Sequence, residues 1–211
     1  MTTRPVCFAL AAAFGGANFA GAAELSIVVL VPAVADVRLD PSRQAIAFWN
    51  ERLAELGVET GLSGPEIVVD SPVTRSLENY ARQVATRAVG LPGGAYEPAP
   101  PVALTDLDGD IIVLLSRQDI MSYAWPMPRV SPPRYFVVIR AVRGPYRNDP
   151  MVSRHVVAHE LGHALGLDHN AEAHTLMCGP CQPLTAEPDA TGFLPLTDGD
   201  RERLRELHGP R

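Results

Sequence analysis

Basic residues are in the minority in this chain. Eighteen lysines and arginines stand against 24 aspartates and glutamates, a net charge of −6. A nucleic-acid binder needs a basic face to displace counterions from phosphates, so that class of partner is argued against. Apolar runs are short, and after residue 23 none approaches the ~20 residues a membrane-spanning helix requires. There is no low-complexity tract, no internal repeat and no convincing linker. Cysteine is scarce, with three in 211 residues, and no histidine precedes residue 155. What is present is globular in character: 46% hydrophobic and 20% charged residues, with 20 prolines gathered mainly in a few connecting stretches.

The first 23 residues differ from the rest. Arg4 gives a positive start, Val6 to Phe14 an apolar run, and Ala20-Gly21-Ala22-Ala23 a small-residue ending. This pattern predicts a secretory signal peptide over 1–23, cleaved near Ala22 or Ala23. A retained apolar anchor is the alternative, but Gly15-Gly16 and Asn18 interrupt the run. Residues 24–211 are then one exported domain, periplasmic or secreted, with no propeptide between leader and first strand. Removing the leader discards Cys7 and leaves Cys178 and Cys181, an even pair that reads as a disulfide in an oxidising compartment.

Strand and helix signals alternate along the mature chain. Leu25 to Val31 reads as a strand. A helix follows, with Asp40 as its cap, Pro41 at its first position and Ile46, Trp49, Leu53 and Leu56 at helical spacing. Glu66 to Val69 is a strand and Thr74 to Val89 a helix closed by Gly90. Residues 91–105 form a loop, Ile111 to Leu115 a buried strand, 121–134 another proline-rich stretch and Tyr135 to Arg140 a further strand. Asp149 and Pro150 mark the start of a further helix. Thr197 and Asp200 have capping-box spacing before a last helix, with Leu204 and Leu207 as its buried stripe and Gly209 at its end. The class is α/β (α+β), a sheet with helices packed on it.

The chemistry is concentrated in His159-Glu160-Leu161-Gly162-His163-Ala164-Leu165-Gly166-Leu167-Asp168-His169. Residues four apart share a helix face, so His159 and His163 can offer two imidazole nitrogens to one ion. Gly166 supplies the left-handed conformation that ends the helix and turns His169 back as a third ligand. Three neutral imidazoles with an open fourth position describe a catalytic Zn2+ site. Glu160, beside the first histidine, is placed to act as general base toward water and acid toward a leaving amine. A chance match to three His, one Glu and one Gly at these spacings is about one in ten thousand for residues of ~5% usage.

This segment resembles the extended zinc signature of the metzincin peptidases, and Leu167-Asp168-His169 is similar to the matrixin branch. The resemblance implies a metzincin-like zincin: a twisted mixed sheet with two helices, an active-site helix below it, and a small C-terminal subdomain over 170–211. Thr175-Leu176-Met177 is similar to the matrixin Met-turn, which makes Met177 a support beneath the metal. Leu196-Thr197-Asp198 resembles the entry to the matrixin C-terminal helix, and Gly109-Asp110-Ile111 the entry to a strand. Ser122-Tyr123-Ala124-Trp125-Pro126 is similar to the edge strand that holds extended substrate. The implied activity is zinc-dependent endopeptidase action on proteins or peptides by a monomer. Cys178-Gly179-Pro180-Cys181 departs from the Tyr-Pro that usually follows the Met-turn, so pocket specificity does not carry over. No tyrosine follows Met177, unlike the astacin and serralysin branches, and the His-rich structural zinc site of animal matrixins is missing.

A partner-docking protein that holds zinc without efficient turnover is the second reading, opposed by the intact Glu160. Cys178 to Cys181 also matches a thioredoxin-type dithiol, but only 30 residues follow it. His155 reads as a neighbour of the site or a solvated residue, not a ligand, and His174 as a solvated loop residue. Asp106, Asp108 and Asp110 could bind Ca2+, though the spacing lacks a full calcium loop and a polar turn is the better reading. Trp125 and Tyr123 are placed equally well in the groove or in packing.

Overall fold

The computed structural model describes residues 23–90, 98–128, 130–141, 149–179 and 192–210. In chain order the elements are β1 (Ala23–Leu25), β2 (Ile27–Val31), α1 (Leu39–Glu55), β3 (Thr60–Leu62), β4 (Glu66–Val69) and α2 (Pro72–Gly90). There follow α3 (Val102–Thr105), β5 (Ile111–Leu115), β6 (Tyr123–Pro126), β7 (Tyr135–Ile139), α4 (Pro150–Ala164) and α5 (Asp198–His208). The main sheet has the order β4-β2-β5-β7-β6. Its first four strands are parallel and β6 runs antiparallel to β7 at the edge. This is the mixed sheet of the expected α/β, metzincin-like class.

Every residue of β2 and β5 is buried, as parallel strands covered on both faces require. Along β5, Ile111, Val113 and Leu115 join one core with Phe48 and Trp49 of α1 and Val157 and Leu161 of α4. Ile112 and Leu114 point the other way, into a second core with Leu77, Tyr80 and Val84 of α2. Helices α1 and α4 are locked together where Trp49 donates its Nε1–H to the Ala158 carbonyl at 2.8 Å.

Four expectations are corrected. The apolar run Leu25 to Val31 is two strands, because Ser26 turns aside to bond the Asp110 carboxylate through its backbone N–H (2.8 Å) and hydroxyl (2.7 Å). Its first part pairs with the unanticipated β3. Helix α1 begins at Leu39 after Arg38, and Asp40 is not its cap. The reason is tertiary: the buried Arg38 guanidinium donates to the carbonyls of Leu115, Ser116, Ile139 and Arg140 and so fixes the helix start. A short helix, α3, interrupts the stretch expected to be loop. Leu207 is 38% exposed and does not belong to a buried stripe, whereas Leu204 is fully buried.

The caps of the other two helices are as expected. The Asp149 side chain accepts from the Met151 and Val152 N–H groups, with Pro150 at the first turn. Thr197 and Asp200 form a reciprocal capping box. No helix among the described residues is long and apolar enough to cross a membrane.

Candidate metal centre

Helix α4 carries His159 and His163 one turn apart. It closes at Gly166, whose φ of +90° lies in the left-handed region that glycine alone enters cheaply. Leu167 then donates its N–H back to the Gly162 carbonyl at 3.0 Å, and the chain returns to bring in His169. The three Nε2 atoms lie 3.1–3.2 Å from one another. The opposite ring nitrogens explain the tautomers. His159 Nδ1 meets the Leu176 carbonyl at 2.7 Å and His163 Nδ1 meets the Leu167 carbonyl at 2.7 Å. A carbonyl only accepts, so each of these Nδ1 atoms carries the proton and each Nε2 presents a lone pair inward.

Three lone pairs converging at this distance repel unless a cation lies between them. A tetrahedral zinc ion with Zn–N of ~2.0–2.1 Å sets its ligand atoms ~3.3 Å apart, close to what is seen. The donor set therefore fits zinc. Burial also pushes His159 down to about 4 and lowers His163, with the like charges of neighbouring imidazoles adding to the effect against the carbonyl bonds. Both rings are neutral at ordinary pH, as ligation requires. Among the described residues, these three histidines form the side-chain group able to hold a metal.

Glu160 is buried, and burial raises its carboxyl to about 8, opposed by a hydrogen bond from the Ala124 backbone N–H. It lines a cleft of about 740 Å³ together with His163, His169, Ala124 and Pro126. Among the described residues β6 is an edge strand of the sheet, and it lines the cleft. Met127 donates its N–H to the Arg134 carbonyl, and the ladder register then turns the backbone of Tyr123 and Trp125 toward β7. The backbone of Ala124 and Pro126 therefore faces outward, and Pro126 has no N–H to leave unpaired.

Met177 is fully buried. A Cβ at Gly162 would stand 2.5 Å from the Met177 sulfur, so glycine at 162 permits this approach. Gly179 plays the same part on the other side, where a Cβ would lie 2.5–2.8 Å from three atoms of the His169 ring. Asn170 ties the pieces together. Its backbone N–H donates to the Met177 carbonyl and its own carbonyl accepts from Gly179. Its Oδ1 accepts from Thr175 and Glu172, and its Nδ2 donates to Asp200 of the α5 capping box at 3.1 Å. None of these three roles was legible. Gly162 was read only as part of the histidine-bearing helix and Gly179 as part of the Cys178–Cys181 motif, and nothing local marks Asn170.

The remaining candidates fall outside the metal-binding set. His155 is buried and bridges the Met151 carbonyl and the Leu194 N–H, packing on Phe193. His174 is exposed at φ +66°. Tyr123 borders the cleft but sends its hydroxyl to the Ala81 carbonyl at 2.9 Å, and burial raises its pKa. Trp125 packs against the α2-side core. In the turn of Asp106, Asp108 and Asp110, Arg134 takes the carbonyls of Thr105, Leu107 and Gly109, while Asp110 holds Ser26. A guanidinium thus already supplies positive charge there. Cys181, the partner expected for Cys178, lies outside the described residues, as does the leader to residue 22.

Residues 105–209 match the matrixin family, peptidase M10. Among solved structures, metalloproteinase-II from Bacteroides fragilis is similar at 15% identity and a TM-score of 0.49. The likeness covers 90% of this chain and 54% of that one, so the chain spans about half its length. No curated protein matches the sequence.

Proposed function

Since this chain is a matrixin-like protein with the histidine site of a zinc metallopeptidase, we propose that it hydrolyses internal peptide bonds of proteins or peptides. The observation that carries the reading is the convergence of three Nε2 lone pairs beside a buried carboxyl, at the edge of an open strand. His159, His163 and His169 would hold one ion. Zinc bound there supplies Lewis acidity toward a peptide carbonyl and toward water. Glu160 receives the proton that water gives up and passes it to the departing amine. Burial raises this carboxyl above its ordinary range, which makes its ionised form a stronger base toward that proton. Extended substrate lies along β6, whose outward carbonyls accept its N–H groups as an added strand would. The Leu176 and Leu167 carbonyls fix two imidazole tautomers, and Met177 fills the space below.

The test is mass spectrometry of a mixed peptide library incubated with zinc-loaded protein, beside Glu160→Ala. Cleavage by the wild type that vanishes in the variant is expected. Background products from both, with zinc confirmed bound, would overturn peptidase action in favour of partner docking. The proposal includes export and a Cys178–Cys181 bridge closing the turn after Met177. Intact mass of the exported protein checks both, since an uncleaved leader or two free thiols would each show as extra mass.

A further inference from the structure

The last helix was expected to bury Leu207, yet the structure turns this residue into the cleft. Leu207 is 38% exposed and lines the cavity that holds Glu160, His163 and His169. A Cβ on residue 166 would stand 2.6 Å from the Leu207 Cδ1, so glycine at 166 lets Leu207 pack on that backbone. Across the same cavity, Met121 is 44% exposed just before β6. Leu207 and Met121, together with Leu167, give the cleft an apolar lining beside His163 and His169. The ionic rim residues, Arg203 and Asp168, are of opposite sign, and Arg203 already meets Glu206 at 3.3 Å.

We propose that Leu207 and Met121 are specificity-determining residues, forming a subsite over Gly166 for an apolar side chain of the substrate. The inference rests on the peptidase reading, because the occupant is a peptide extended along β6. Side chains of such a strand alternate, so residues facing α4 descend toward the Gly166 turn while their neighbours point away. An aliphatic side chain seated there replaces water against Leu207, Met121 and Leu167. A carboxylate in the same place would lose solvation against these apolar groups.

The experiment measures binding, not turnover. Zinc-loaded Glu160→Ala is titrated with fluorescein-labelled peptides that differ by Leu, Ala or Asp at one position at a time, read by anisotropy. At one position Leu should bind about tenfold more tightly than Asp. Adding Leu207→Ser should erase that preference while peptides carrying Ala there bind as before. Leu207→Met should keep it, which separates the subsite from a general effect on folding. An apolar preference unchanged by Leu207→Ser, or no apolar preference at any position, overturns the proposal. Absence of cleavage by protein with Glu160 intact would instead overturn the peptidase reading and leave this binding result standing.

Discussion

His159 and His163 are presented by a rigid helix and oriented by carbonyl acceptors, but His169 sits on a returning loop and depends on its neighbours. Asn170 is the neighbour with the most to hold, since its side chain reaches Thr175, Glu172 and Asp200 while its backbone bonds Met177 and Gly179. Asn170→Ala removes the side-chain half of this anchor and leaves the imidazole itself in place. Zinc affinity, measured by competition with a chromogenic chelator, should fall ~10–100-fold, the usual consequence of losing a group that orients a ligand. The cobalt-substituted visible spectrum should change as well, because the third imidazole no longer meets the ion at a fixed angle. An unchanged affinity and spectrum would show that the backbone bonds and the Gly179 contact suffice without the side chain.

At the scale of elements, β6 has to stay in place for substrate to add to it, and Tyr123 is one of its ties to α2. Burial raises the Tyr123 pKa above the ordinary 10.0, so the unfolded chain releases this proton first. Stability from the neutral phenol is therefore complete below pH 10.0 and declines as pH rises beyond it. Urea unfolding across an alkaline series should show that decline. Tyr123→Phe should cost about 1 kcal/mol at neutral pH from the lost hydrogen bond and should flatten the alkaline slope. An equally steep slope in the variant would assign the effect to other groups. Elements whose signals are local were legible in the sequence. Helix α4 declares itself through Asp149, Pro150 and the histidine spacing, and α5 through Thr197 and Asp200. What was illegible was set from a distance. The start of α1 depends on Arg38 binding carbonyls 77 to 102 residues away. The break between β1 and β2 depends on Asp110, 84 residues from Ser26. The same holds at the site, where the ligands were visible in one segment but the fit of Gly179 against His169 exists only after the loop has closed.

For the whole molecule, the question is whether the metal builds the fold or is received by it. Two apolar cores flank the sheet, and neither contains a histidine ligand. The surroundings of His159 and His163 are protein groups, namely the Leu176 and Leu167 carbonyls. A chain with this much buried aliphatic surface does not need an ion to collapse, unlike small domains whose folding energy is the metal's binding energy. Zinc should then act as a ligand of the native state, stabilising it by mass action. At free zinc a thousand times Kd, that linkage is worth about 4 kcal/mol. For a domain of this size the midpoint of thermal unfolding should rise by ~10 °C. Stripping the protein with a chelator should leave its helical circular dichroism intact at 25 °C, while returning zinc moves the midpoint upward with concentration. A stripped protein that has lost its helical signal at 25 °C would mean that the repulsion among three inward lone pairs outweighs both cores. A midpoint indifferent to zinc would mean that the histidines, however close, do not bind it.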